Sequence, residues 1–205
     1  MGFFDDLKPP APPEEPEEET PDWISAPDGW IGAVLPVQEL IGRSEEAAIS
    51  LARVVAYPVG FEATLDAFTR AVSWGWAFDE RVVEWHRGEH ERPPAELLRY
   101  GVEFADGRRA SNLGGMLGGT VVALPAGDGE EPDPAKGIRL VPGGGHGGGR
   151  HSRQEFWVWP LPPPGPVAFV CEWPRYGIPE SRVEVEAASI GAAAQKATEI
   201  WPAPQ

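Results

Sequence analysis

The residues best suited by type and spacing to do chemistry lie in PGGGHGGGRHSR, residues 142–153. Exposed glycine amides can cradle an anion, and Arg150, His151 and Arg153 would add positive charge beside them. His146 sits in the middle of the tract. These four residues, His146, Arg150, His151 and Arg153, are the candidate contacts for an anion or an acidic partner. The tract matches neither G-x-x-x-x-G-K-[ST] nor the dinucleotide fingerprint between a strand and a helix, so no nucleotide cofactor is implied. A second pattern, His86-Arg-Gly-Glu89-His90, has the letters of H-x-x-E-H. Gly88 weakens any helix there and Pro93-Pro94 follow at once, so the sequence assigns no metal site.

Within the glycine tract, His146-Gly147-Gly148-Gly149 resembles the HGGG oxyanion loop of the α/β-hydrolase esterases, where glycine amides hold a developing negative charge. The resemblance covers four residues. The chain has no G-x-S-x-G nucleophile elbow and no alternating βα pattern, and no pair of carboxylates stands out as acid and base. No catalytic residue and no cofactor is assigned, and the enzyme question stays open with the balance against catalysis.

Composition sets further limits. The formal net charge of −15 argues against nucleic-acid backbone binding, which needs a basic face. Residues 1–29 hold nine acidic side chains against Lys8, so more than half of that charge is local. Residues 9–22, PPAPPEEPEEETPD, bury too little apolar surface to offset their ordering entropy. A disordered acidic Pro/Glu tail over 1–29 is expected, with Phe3, Phe4 and Leu7 as a small apolar docking cluster. Asp6 stands where a myristoylation motif wants Ser or Thr. No apolar run reaches membrane-span length and no secretory leader is recognisable, so neither export nor a membrane is expected. The single Cys171 has no partner for a disulfide, which fits a cytoplasmic protein.

The elements that would position the glycine tract are strands. Period-two alternation marks Ala47 to Tyr57, Phe61 to Asp66, Leu98 to Phe104 and Arg182 to Glu186, with short candidates at Ile31 to Val37, Thr120 to Leu124 and Ile138 to Val141. The richest stretch is Glu155 to Trp173, EFWVWPLPPPGPVAFVCEW, which reads as two strands paired across a Pro164-Gly165 turn. Glu39 to Gly42 suggests one helical turn, and Asp106-Gly107 a type I′ turn. Residues 71–94 read as a long connection carrying Trp74, Trp76 and Trp85. Helical spacing of Ile190, Ala194, Ala197 and Trp201 predicts a helix over about 187–200, with Trp201 anchoring it.

The expected fold is therefore mainly β: a two-layer antiparallel β-sandwich of about eight short strands over residues 30–202, with one C-terminal α-helix and a disordered N-terminal tail. The expected function is non-catalytic protein interaction. The alternative is a small-ligand or carbohydrate-binding sandwich using a Trp-lined cleft and the glycine tract.

Overall fold

A computed structural model describes residues 20–73, 92–113, 116–117, 120–121 and 137–201. Its elements in chain order are β1 (Trp30–Ile31), β2 (Ala33–Leu35), β3 (Glu39–Arg43), β4 (Ala47–Ala56), β5 (Phe61–Ser73), β6 (Arg99–Phe104) and β7 (Arg109–Ser111). They continue with β8 (Met116–Leu117), β9 (Thr120–Val121), β10 (Arg139–Trp159), β11 (Pro166–Trp173), β12 (Ile178–Glu186), the helix α1 (Ala187–Ala194) and β13 (Thr198–Glu199). The chain is mainly β, as the alternating patterns require.

Two antiparallel sheets form the layers. One runs β10-β5-β4-β2, with β3 also pairing β4; the other runs β12-β11-β6-β7. The inward residues are those the alternation selects: Phe61, Ala63 and Leu65 on β5, Tyr100, Val102 and Phe104 on β6, and Val167, Phe169 and Cys171 on β11. Phe61 meets Phe169 edge-on at 6.1 Å, and Tyr100 meets Phe156 at 5.1 Å, so aromatic rings of the two sheets interlock across the layer. Burying one such ring contributes about 1.5–3 kcal/mol.

The two strands of 155–173 are present but do not form a hairpin. β10 pairs with β5, whereas β11 pairs with β6 and β12. The segment PLPPPG between them carries the chain from one sheet to the other, because prolines supply no ladder donors with which to hold the strands together. Phe156 and Val158 face the core between the sheets, while Trp157 and Trp159 belong to a separate cluster with Val141.

The glycine tract is not a loop but part of β10, which is 21 residues long. A straight strand would hold Gly143 and Glu155 about 40 Å apart at ~3.3 Å per residue. Instead a Cβ on Gly143 would lie 3.4 Å from Glu155 O, and one on Gly145 2.8 Å from Arg153 O. The element doubles back on itself around Gly149, whose φ of +71° suits the reversal.

Other local differences have equally physical causes. Glu39–Arg43 is a strand because Ile41 is drawn into the core and Gly42 passes so close to Ile178 that a Cβ would lie 2.6 Å from its Cγ2. At the β6–β7 turn Gly107 alone has positive φ, +85°, and Phe104 N–H donates to Arg108 O at 2.8 Å. This is the three-residue turn with a glycine bulge, not type I′. The helix stops at Ala194 rather than near 200, because Thr198–Glu199 pairs with β1. Trp201 consequently anchors nothing inside and is 79% exposed.

Of the expected N-terminal tail, residues 20–29 are described and packed. Trp23 and Ala26 lie against Val141, Trp157 and Trp159, and Trp157 Nε1–H donates to Asp22 O at 2.9 Å. Residues 1–19 lie outside the described residues, as do 74–91 with Trp74, Trp76, Trp85, His86 and His90. Among the described residues no helix is long and apolar enough to cross a membrane.

Candidate functional site

The candidate residues of the glycine tract meet on the outer face of the first sheet. Cross-strand register sets the side chains there in rows: Glu155 opposite Thr64 and Arg53, Arg153 opposite Asp66 and Ser50, and His151 opposite Phe68 and Ala48. Residues directly opposite share a face, so each row brings its side chains together. Gly143 and Gly145, alongside Glu155 and Arg153, add no side chain of their own.

Asp66 is the hub of this face. Arg153 grips it in bidentate fashion, Nε to Oδ1 at 2.8 Å and Nη2 to Oδ2 at 2.9 Å, and His151 Nε2–H donates to Oδ1 at 2.9 Å. Burial by itself pushes the Asp66 carboxyl up, but the hydrogen bonds and charges of Arg153 and His151 together hold it below the usual carboxylate range. The His151 ring also stacks on Phe68 at 4.7 Å, and His146 approaches His151 edge-on at 6.2 Å. His146, His151 and Arg153 are thus brought together, while Arg150 is exposed next to the Gly149 reversal. Arg153 and His151 direct donors to Asp66, so the positive charge of this corner is largely neutralised from within.

Four residues earlier on the same strand, Glu62 lies in a different setting. Tyr57 Oη–H donates to Glu62 Oε2 at 3.4 Å, and Trp157 is its cross-strand neighbour. Burial, with Glu155 adding to it, raises the Glu62 carboxyl against the opposing Tyr57 hydrogen bond and Arg53 charge. Burial and the Glu62 charge push the Tyr57 hydroxyl up to about 12. Arg53 ties this region together, donating from Nε to Thr64 Oγ1 at 3.1 Å and from Nη2 to Glu155 Oε1 at 2.8 Å.

Beyond Glu62 the face becomes aromatic. Tyr57 meets Trp157 edge-on at 5.6 Å, and Trp23 covers the pair together with Trp159 and Val141. The Arg139 guanidinium lies 5.8 Å from the Trp23 ring centre. Arg139 is 8% exposed and its Nε has no hydrogen-bond partner among the described residues. Burial lowers its pKa.

The outer face of the second sheet is shallow and charged. A cavity of about 480 Å³ there is lined by Gly101, Ser111 and Val170 together with the charged side chains around them. Arg99 Nη1 pairs with Glu172 Oε2 at 2.7 Å, and Arg182 with Glu103 at 3.7 Å. Cys171 points the other way, into the core, and burial pushes its thiol up to about 12. A thiol so raised is a poor nucleophile at neutral pH. Among the described residues no three His, Cys, Asp or Glu side chains converge on a metal position.

No protein-family model, no curated protein and no solved structure matches the chain. The geometry alone therefore bears on function. Asp66, Glu62, Tyr57 and Arg139 were not singled out by the sequence. Asp66 and Glu62 read only as outward polar positions of an alternating strand, with partners more than 80 residues away for Asp66.

Proposed function

We propose that the protein is a non-catalytic β-sandwich module that docks a protein partner, using the short ribbon that joins β1 to β13. The observation that carries this reading is Trp201, 79% exposed beside two other bare apolar side chains. Ile31 pairs with Thr198, and Ile200 N–H donates to Gly29 O at 2.7 Å, so Ile31 and Ile200 emerge on the same face of the ribbon. The Trp201 ring lies beside Gly29 on the same ribbon, where a Cβ would be 3.4 Å from its Cδ1. An exposed tryptophan flanked by isoleucines has the composition of an interface centre. The filled layer between the sheets supports a surface role rather than a ligand cleft. The acidic Pro/Glu sequence of residues 9–19 supplies a tether by composition, with Phe3 and Phe4 at its far end as a docking peptide. A reducing, intracellular setting belongs to the same proposal, supported by the unpartnered Cys171.

Affinity capture from the native host, followed by titration with the purified partner, tests it. A stoichiometric partner retained by the natural chain is expected to bind Trp201→Ala about thirtyfold more weakly, the loss of ~2 kcal/mol typical of an interface centre. No stoichiometric partner, or an unchanged affinity for a folded Trp201→Ala protein, overturns the reading.

A further inference from the structure

Residues 20–28 form a strap across the outer face of the first sheet, and the strap and the surface beneath it are unequal. None of residues 20–28 is fully buried, whereas Trp157 and Trp159 beneath them are 4% and 5% exposed. Tyr57, Val59, Val141, Trp157 and Trp159 make an apolar groove, and Trp23 occupies it. Trp157 Nε1–H reads a main-chain carbonyl, that of Asp22, the residue just before the seated tryptophan. That contact would be the same for any extended segment presenting a tryptophan in this place.

Arg139 gives the second, independent observation. Arg139 is 8% exposed as a residue and its guanidinium lies 5.8 Å from the Trp23 ring centre, yet no carboxylate pairs with it among the described residues and its buried Nε donates to nothing. A buried guanidinium N–H left without an acceptor is costly, and a carboxylate with matching geometry would supply one. The strap therefore fills the aromatic half of the groove and offers the guanidinium only the face of the Trp23 ring, with no carboxylate.

We propose that this groove is a peptide-binding site for a partner's extended segment bearing a tryptophan and a nearby carboxylate, and that residues 21–26 are its built-in occupant. The partner's tryptophan replaces Trp23, its preceding carbonyl accepts from Trp157 Nε1–H, and its carboxylate accepts from Arg139. The tethered strap competes at an effective concentration in the millimolar range, so the closed form dominates until such a segment is supplied. The site is separate from the Trp201 ribbon, and either can fail without the other.

The test uses the full chain carrying Trp23→Ala, which empties the groove, and a fluorescent peptide with the sequence of residues 20–27. Saturable binding is expected, at least about tenfold tighter than to the natural chain, where the tethered strap competes. Replacing the peptide's tryptophan by alanine should abolish it. In a scan placing Glu or Gln at each peptide position after the tryptophan, at least one Glu peptide should bind about tenfold tighter than its Gln counterpart, as expected of a charge-assisted bond. That advantage should vanish in Trp23→Ala/Arg139→Met. No binding to a folded Trp23→Ala protein overturns the site, and equal binding of every Glu and Gln pair overturns the role of Arg139. Should Trp23→Ala not fold, the peptide is titrated into the natural chain, where it must shift the Trp157 indole N–H resonance; no shift at millimolar peptide also overturns the site.

Discussion

Asp66 and Glu62 stand four residues apart on one face of one strand, and their surroundings drive them in opposite directions. Around Asp66 the neighbours are a bidentate guanidinium and an imidazole, which hold the carboxyl below its ordinary range. Around Glu62 they are a phenol, an indole and a second carboxylate, and burial raises it. The same position in a β pattern thus yields an anchored ion in one row and a penalised one two rows along. What differs is which residue of a distant segment falls opposite: Arg153 for Asp66, Trp157 for Glu62.

The largest break in this contrast comes from Asp66→Ala. It strands the Arg153 guanidinium on a sheet face, and a loss of up to about 3 kcal/mol is expected in urea unfolding at pH 7. The pH dependence sharpens the same point. Because the folded-state pKa of Asp66 is depressed, its contribution is present above the unfolded value of about 4 and disappears as pH falls through the folded value. The difference between natural and Asp66→Asn chains should therefore shrink steadily in acid; a difference that is constant from neutrality to pH 2 would break the assignment.

Glu62→Gln should act with the opposite sign and more weakly. A raised carboxyl costs stability above its folded pKa and costs nothing below the unfolded one. Removing the charge is expected to leave stability unchanged or raise it by up to about 1 kcal/mol at pH 7, with no gain near pH 3. A clear loss in thermal unfolding at pH 7 would show that the Tyr57 hydrogen bond outweighs burial. The smallest effect belongs to the second sheet. Arg182 and Glu103 are half-exposed at 3.7 Å, so Arg182→Ala should change stability by less than about 0.5 kcal/mol, and 1 M salt should erase even that.

Alternation in the sequence was enough to locate β4, β5, β6, β11 and β12 and to say which of their side chains face the core. It could not say which strands pair. Trp157 and Trp159 read as partners of the 167–173 run because the two are neighbours in sequence, but pairing is decided by what fills the layer, and Phe156 and Val158 fill it opposite the β6–β11 sheet. The glycine tract misled for a related reason: a ladder needs only backbone groups, so a run without side chains can be strand as readily as loop. Helical spacing at 187–201 held for two turns, until pairing of Thr198–Glu199 with β1 prevailed over it. Of the site, His146, His151 and Arg153 were legible as a cluster of basic residues. Their counterpart Asp66 was not, since a lone carboxylate in an alternating strand looks like any solvated position.

The division of β4's partner between β2 and β3 has a consequence for solubility. Pro36 and its neighbours interrupt what would otherwise be one long outer strand, so the edge beyond β4 is broken into two short pieces, three residues on β2 and five on β3. On the other layer, the outer strand β12 carries Pro179 near its start and Glu180, Arg182, Glu184 and Glu186 along its length. Both of these borders are thus poor templates for strand-to-strand aggregation.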